Sequence, residues 1–171
     1  VLPGVLFPDS YPYYTSVSKG ALEHFENSAK SIIEKYRLDE KLYVMEAASN
    51  DGYMLRHFRE AGIPHIGIEP AGGPARAAIK SGIKTENTFF SQKFAQNWVK
   101  KNGPQADIFL ANNVLAHVPG LQGFVKGIKT VLSPAGTAVI EVPYVVDLIE
   151  KCAFDTIFHQ HFSYFSLTSL K

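Results

Sequence analysis

The stretch that decides the fold is Leu42-Tyr43-Val44-Met45-Glu46-Ala47-Ala48-Ser49-Asn50-Asp51-Gly52, an apolar run followed by an acidic residue and a loop of small residues. The apolar run predicts a buried strand, because strands covered on both faces are almost continuously apolar. Small loop residues let the backbone approach a ligand closely, and Asn50 and Gly52 tolerate a positive φ. Ligands of open α/β sheets bind at the carboxyl ends of strands, so we expect a ligand site at this loop.

Outside this stretch, strand signals alternate with helix signals along the chain. Further strands are predicted at 65–69, 83–88, 107–111 and 137–142, and helices at 22–36, 53–61, 71–81, 92–101, 120–132 and 145–152. This alternation indicates an α/β fold with a parallel sheet and helices on both faces. Residues 1–20, rich in Pro, Tyr and Ser, are predicted to form an irregular arm, residues 21–171 one domain, and residues 133–136 a turn.

Composition excludes several classes of protein. The chain has 171 residues, 46% hydrophobic and 19% charged, which is typical of a globular domain. Its net charge of +1 gives no reason to expect a nucleic acid or a membrane as partner. Cys152 is the single cysteine, so an internal disulfide and a cysteine-built zinc site are excluded. The apolar stretch 136–146 contains Glu141 and Pro143 and is too short to span a bilayer.

Two features of the ends guide our expectations about the whole protein. The chain begins with Val1 rather than Met, and residues 166–171 resemble the first turn of a helix behind a Ser or Thr cap. We therefore expect a fragment of a longer protein. No signal-peptide pattern is visible near the start, so a cytoplasmic location is expected.

The loop after the first predicted strand differs from the common nucleotide-binding loops. The fingerprint G-x-G-x-x-G is absent, because Ala48 and Asn50 stand where two glycines would be, and no phosphate-binding G-x-x-x-x-G-K-[ST] motif occurs. Glu46 and Asp51 place carboxylates beside the loop, which disfavours a pyrophosphate and suits an ammonium or sulfonium group. An ordinary strand-to-helix turn is the alternative interpretation.

Glu69 ends the second predicted strand. An acidic side chain at this position can accept hydrogen bonds from both hydroxyls of a ribose, although a solvated surface glutamate would look the same. Both NAD and S-adenosyl-L-methionine fit this geometry. The acidic loop favours S-adenosyl-L-methionine, and the missing glycines argue against an NAD-dependent oxidoreductase.

Longer segments resemble a known family, the S-adenosylmethionine-dependent C-methyltransferases of nucleotide-linked keto-deoxysugars. The segments are 46–53, 67–71, 112–119, 141–144 and 154–166, and the resemblance runs from about residue 11 to the end. It implies a Rossmann-like class I methyltransferase sheet, mostly parallel and truncated before its last strand pair. It also implies a small-molecule substrate of the nucleotide-sugar class, and flanking domains that this chain does not contain, one of them zinc-binding.

The resemblance further implies which residues hold the cofactor. Glu46 would hold the loop or reach the amino group, Glu69 would bind the ribose, and Pro70 would border the adenine. Small or amide-bearing residues would lie near the methionine end and the sulfonium: Ala48, Asn50, Gly52, Asn112 and Asn113.

Less specific positions complete the predicted cofactor site. Phe89 or Phe90 would stack on the adenine, although either phenylalanine alone is equally compatible with the core. His117 would approach the cofactor or the substrate, or would be a helix-start histidine bonded to backbone. Tyr14 and Ser16 would close over the cofactor from the arm.

The chemistry of carbon methylation directs attention to Phe158-His159-Gln160-His161. A ketone acidifies the neighbouring C–H bond, and histidine is a base suited to take that proton. If this run is extended, His159 and His161 share a face, with Phe158 and Gln160 on the other. The resemblance matches His161 to the base, with His159 and Gln160 as further catalytic candidates.

The same run departs from the family pattern, which has Tyr-His-Glu-His. Phe158 cannot donate to an enolate oxygen, and Gln160 cannot hold an imidazolium as a carboxylate does. Two alternatives therefore stay open: an O- or N-methyltransferase of a small molecule, and a cofactor-binding module without catalysis. No metal site is expected, because His159 and His161 lack a third ligand at suitable spacing.

Overall fold

The computed structural model describes residues 3–101 and 103–170, and their strands form one sheet. The strands are β1 (Val44–Ala47), β2 (His65–Ile68), β3 (Thr85–Glu86), β4 (Ala106–Asn112) and β5 (Leu132–Glu141). Their order is β3-β2-β1-β4-β5, and every pairing between neighbours is parallel. The predicted parallel sheet is confirmed, and β1 lies at its centre.

Helices precede the first strand, connect the strands and follow the last one. They are α1 (Pro3–Leu6), α2 (Lys19–Tyr36), α3 (Leu55–Glu60), α4 (Gly72–Lys80), α5 (Gln92–Lys100), α6 (Leu121–Val131) and α7 (Val145–Glu150). The side chain of Ser18 caps α2 by accepting a hydrogen bond from the amide of Ala21. No helix within the described ranges combines the length and the apolar character that a bilayer crossing requires.

The two faces of the sheet carry separate apolar layers, because successive strand residues point to opposite sides. On one face, Val44 and Ile108 pack with α2, α3 and α4. On the other face, Met45 and Phe109 pack with α5 and α6. The prediction of helices on both faces is therefore confirmed, and the sheet edge at the carboxyl ends of the strands stays free for a site.

Several predicted element boundaries are wrong, among them those of α3, β3 and β5. α3 begins at Leu55 rather than at residue 53, because Tyr53 and Met54 form turns that bury both side chains. β5 begins at Leu132 rather than at residue 137, and residues 133–136 form an irregularity inside the strand instead of a turn before it.

The ends also differ from the predictions. The arm is not wholly irregular, since α1 and a 3-10 turn at Thr15–Val17 lie within it, and α2 already begins at Lys19. The final segment forms one hydrogen-bonded turn, in which the amide of Ser169 donates to the hydroxyl of Ser166, and it does not form a helix in the described residues.

Candidate functional site

A large cavity lies at the carboxyl edge of the sheet. Its volume is about 1300 Å³, larger than the roughly 300–1,000 Å³ typical of a single small-molecule site. The loop after β1 and the ends of β2 and β4 form its floor, and the arm and the segment after β5 contribute walls. The predicted residues that line it are Ala48, Asn50, Glu69, Pro70, Phe89, Phe90, Asn112, Asn113, His117 and Gln160.

The loop after β1 has an unusual backbone. Ala48, Asn50 and Gly52 adopt positive φ angles of 55°, 49° and 78°. The prediction that Asn50 and Gly52 tolerate this conformation is confirmed, whereas Ala48 was not expected to need it. Gly52 does not line the cavity, because the position of its missing side chain faces Ile83. Gly52 was predicted to contact the cofactor, but in the structure it shapes the loop instead.

Glu69 joins this loop to the end of β2. Its Oε2 accepts a hydrogen bond from the amide of Asn50 over 2.8 Å, and its Oε1 accepts one from the amide of Ala71 over 2.7 Å. Burial raises the pKa of the Glu69 carboxyl, and these two hydrogen bonds oppose that shift. Each carboxylate oxygen keeps a second lone pair, so the group can still accept hydrogen bonds from a ligand.

Glu46 lies beneath the cavity rather than in its lining. The side chain is fully buried, and its Oε1 accepts hydrogen bonds from Nδ2 of Asn112 over 3.0 Å and from the hydroxyl of Tyr53 over 3.4 Å. Burial raises the pKa of Glu46 to about 8, although both hydrogen bonds oppose the shift. Glu46 thus anchors Asn112, and the predicted direct reach to an amino group is not present.

Two phenylalanines after β3 border the cavity. Phe90 packs against Phe94, Phe109 and Phe124, so it belongs to the apolar layer as well as to the cavity wall. Phe89 also lines the cavity and is 42% exposed. Phe89 is therefore the better placed of the two to stack on a planar ligand.

The arm covers one side of the cavity. Thr15 donates its amide hydrogen to Oδ1 of Asn50 over 2.9 Å, and Nδ2 of Asn50 donates to the carbonyl of Tyr13 over 3.2 Å. Ser16 donates its hydroxyl to Asp51. Tyr13 and Thr15 line the cavity, whereas the predicted Tyr14 and Ser16 do not.

The run 158–161 is not extended. The amide of His161 donates to the carbonyl of Phe158 over 3.0 Å, which closes a turn. The predicted alternation of two histidines on one face is therefore wrong. Phe158 and Gln160 line the cavity, His159 is exposed, and His161 is half-buried against Phe158 and His117.

His117 connects His161 with the cavity. The His117 and His161 rings lie 4.9 Å apart, and the His161 and Phe158 rings 4.2 Å apart. Nδ1 of His117 bonds to the carbonyl of Gln160, and Nδ1 of His161 bonds to the carbonyl of Thr156. Because carbonyl oxygens only accept, both Nδ1 atoms carry hydrogens and the neutral rings keep Nε2 as acceptor. Burial lowers the pKa of His117.

Among the residues of the cavity wall that sequence reasoning missed, His24 and Glu141 form a close pair. Nε2 of His24 lies 2.6 Å from Oε2 of Glu141, and Oε1 of Glu141 accepts a hydrogen bond from Nδ2 of Asn113 over 2.9 Å. Glu141 stood in a segment that resembles the family, but no feature of α2 distinguishes His24 from other exposed positions. Among the described residues, no group of three or more His, Cys, Asp or Glu could hold a metal ion.

Comparison with known families and structures defines the class of protein. Residues 22–171 match the model of a methyltransferase domain family, so the chain belongs to this family. The chain is 34% identical over 168 residues to the C-methyltransferase NovU of Streptomyces niveus. That match covers 98% of the chain but 40% of the relative, so the chain spans less than half of that protein's length.

Solved structures with low sequence identity share the fold. A SAM-dependent methyltransferase from Archaeoglobus fulgidus superimposes with a TM-score of 0.64 at 17% identity, over 85% of this chain and 65% of that one. Magnesium protoporphyrin IX methyltransferase from Synechocystis PCC 6803, with bound SAH, gives a TM-score of 0.63 at 13% identity, over 88% and 69%. The fold is therefore the Rossmann-like fold of S-adenosylmethionine-dependent methyltransferases.

Proposed function

We propose that this domain transfers a methyl group from S-adenosyl-L-methionine to a carbon atom next to a ketone in a nucleotide-linked deoxysugar. The observation that carries the proposal is the single cavity that joins the loop after β1, Glu69 and the histidine-containing turn. The 34% identity to a C-methyltransferase over nearly the whole chain supports carbon as the acceptor atom.

The residues present fit S-adenosyl-L-methionine as the cofactor. Glu69 offers a carboxylate that is already positioned by two backbone amides and keeps lone pairs for a ribose diol. Pro70 and Phe89 supply apolar surface for an adenine beside it, with Phe90 behind them. Ala48 leaves space at the loop, and the carboxylate of Asp51 in the same loop adds negative charge that suits a positively charged ligand.

When bound, this cofactor supplies an electrophilic methyl group on a positively charged sulfur. Asn112 and Asn113 lie at the end of β4 and offer amide groups to the methionine end of the ligand. The side chain of Asn50 is occupied by the arm, so this residue contributes through its backbone amide, which holds the Glu69 carboxylate. Gly52 keeps the loop in the shape that these contacts need.

His161, whose ring packs against the cavity-lining residues His117 and Phe158, is the proton acceptor in this proposal. Its Nε2 accepts the hydrogen of the carbon next to the ketone, and the electron pair of the C–H bond forms the enolate of the substrate. His117, which lines the cavity beside it, and the backbone carbonyl of Gln160 hold the turn in place. His159 is exposed, so its replacement serves as the control for replacement of His161.

The cavity volume supports a large acceptor. A volume of about 1300 Å³ exceeds what one cofactor-sized ligand needs, so a sugar nucleotide can share the space. The experiment is to incubate the protein with S-adenosyl-L-methionine and a nucleotide-linked 4-keto-deoxysugar, and to measure product mass. We expect a gain of one CH₂ that depends on both reactants. No gain with keto-deoxysugar nucleotides, or a gain with an alcohol or amine instead, would contradict the proposed acceptor.

A further inference from the structure

His24 and Glu141 form a close pair on the cavity wall, and neither is among the residues that hold the cofactor in the proposal above. His24 comes from the second turn of α2, and Glu141 is the last residue of β5. Their side chains meet at 2.6 Å across 117 positions of sequence, and both line the cavity. The exposed fractions of the two side chains are 55% and 36%, so the pair is accessible to a ligand.

The carboxylate of this pair is held from its other side. Nδ2 of Asn113 donates to Oε1 of Glu141 over 2.9 Å, and the backbone amide of Asn113 donates to the carbonyl of Glu141 over 2.8 Å. Asn113 has a left-handed backbone with a φ of 53°. An amide therefore orients a carboxylate, which in turn orients an imidazole, the order found where a histidine acts on a substrate.

The position of the pair points to the acceptor half of the cavity. Glu141 pairs in register with Asn112 at the end of β4. Glu69, the proposed ribose ligand, follows β2 on the opposite side of β1. The loop after β1 lies between Glu69 and Glu141. A methyl donor bound at this loop would therefore have its ribose on the Glu69 side and the His24–Glu141 pair on the opposite side.

Enolate formation requires a hydrogen-bond donor in this half of the cavity. Negative charge develops on the ketone oxygen when the neighbouring carbon loses its proton, and a hydrogen-bond donor must stabilise it. Phe158 lines the cavity beside the histidine-containing turn and has no donor. When both ring nitrogens of His24 carry hydrogens, Nε2–H bonds to Glu141 and Nδ1–H is left to donate to a ligand.

We propose that His24 is a catalytic residue that donates a hydrogen bond from Nδ1 to the ketone oxygen of the substrate, while Glu141 acts as its positioning residue. This assignment rests on the proposed function and adds the group that stabilises the developing charge. The proton of the carbon goes to the separate base, and the hydrogen bond from His24 forms and breaks without net proton transfer.

The test uses exchange of the substrate's hydrogen next to the ketone with deuterated water, in the presence of S-adenosylhomocysteine. His24→Leu removes the donor, and we expect exchange to slow by ~10²–10³-fold, the usual cost of removing one such donor. His24→Gln keeps an N–H donor, and we expect it to stay within about tenfold of the parent protein. Glu141→Gln, which loses the charge but keeps the shape, should fall between these two variants.

Glu26→Gln is the matched control, because Glu26 forms a 2.6 Å ion pair with Lys30 on the same helix, away from the described cavity lining. It should exchange at the parent rate. Parent-like exchange in His24→Leu would overturn the assignment. Equal loss in His24→Gln and His24→Leu would overturn the donor role and make His24 the proton acceptor. No exchange in the parent protein would overturn the proposed function, and this assignment with it.

Discussion

The backbone amide of Asn50 donates a hydrogen bond to Oε2 of Glu69 over 2.8 Å, which joins the loop after β1 to the end of β2. The other carboxylate oxygen accepts the amide of Ala71, at the start of α4. Two loops of neighbouring strands thus converge on one nearly buried carboxylate. This arrangement holds an acceptor for a ribose in place before any ligand binds, which lowers the cost of ordering on binding.

Replacing Glu69 with Ala should weaken cofactor binding by tenfold or more. Hydrogen bonds to a charged group contribute about 1.5–3 kcal/mol each, and the variant loses those to the ribose hydroxyls. The measurement is calorimetric titration with S-adenosylhomocysteine and with its analogue that lacks the ribose hydroxyls. The analogue should bind more weakly than S-adenosylhomocysteine to the parent protein and equally to the variant. A variant that still distinguishes the two ligands would show that Glu69 does not bind the ribose.

Gly52→Ala should destabilise the protein more than Gly62→Ala. Both glycines have a positive φ, 78° and 73°, so either alanine costs about 1–2 kcal/mol of backbone strain. At Gly52 the new Cβ would lie 2.8 Å from Cγ1 of Ile83, whereas at Gly62 nothing lies within 4 Å. We expect overpacking to add ~1–3 kcal/mol at Gly52 alone. Urea unfolding of both variants checks this, and equal losses would mean that the Ile83 contact carries no cost.

Glu46 should make the folded state less stable as pH rises from about 4.5 to about 8. Its pKa is raised from 4.5 to about 8 in the folded protein, so the folded state holds a proton that the unfolded state releases in this window. The slope is at most about 1.4 kcal/mol per pH unit. The contribution of the Glu46 proton to stability is fully present below the pKa of the unfolded state, about 4.5. It is lost as the pH rises to the pKa of the folded state, about 8.

Glu46→Gln removes this titration and should flatten the dependence of the free energy of unfolding on pH between those limits. Glu23→Gln, at an exposed position of α2, is the control and should leave the slope unchanged. Denaturant unfolding at several pH values checks the prediction. If the slope persists in Glu46→Gln, the dependence on pH is caused by groups other than Glu46.

His161→Ala should slow both methyl transfer and hydrogen exchange of the substrate by ~10²–10⁴-fold, the usual contribution of a general base. Cofactor affinity should stay the same, because none of the residues proposed to hold the cofactor is His161. His159→Ala is the control, since this exposed neighbour should lose much less. Unchanged exchange in His161→Ala would transfer the base role to another histidine of the cavity, such as His117.

Gln160→Glu combined with Phe158→Tyr should raise turnover on a nucleotide-linked 4-keto-deoxysugar. Both residues line the cavity, so a new carboxylate and a new hydroxyl would act beside the substrate. The carboxylate would stabilise a protonated imidazole, and the hydroxyl would donate to the enolate oxygen. Steady-state rates of the double variant and the parent protein check this. A slower double variant would mean that the present residues suit a different acceptor.

The fold and the cofactor half of the site follow from local sequence. The apolar run before Glu46, the small residues after it and Glu69 at the next strand end act within a parallel α/β pattern that places strand ends together. The left-handed backbone of Ala48 could not be predicted from the sequence, because alanine has no preference for that conformation.

The half of the cavity assigned to the acceptor depends on packing between distant elements, which the spacing of residues in the sequence does not predict. His24 and Glu141 meet only because α2 lies beside the end of β5. The turn at 158–161 replaces the predicted extended run, because the His161 ring packs against Phe158 and His117 instead of alternating along a strand. Contacts between distant elements, rather than local propensity, decide both features.

The most direct test of the central claim is the location of the transferred methyl group. The protein is incubated with S-adenosyl-L-methionine carrying a carbon-13 methyl group and with a nucleotide-linked 4-keto-deoxysugar, and the product is examined by NMR. The proposed function predicts a labelled methyl carbon bonded to a sugar carbon next to the ketone. A labelled methyl group on oxygen or nitrogen, or no labelled product at all, would contradict it.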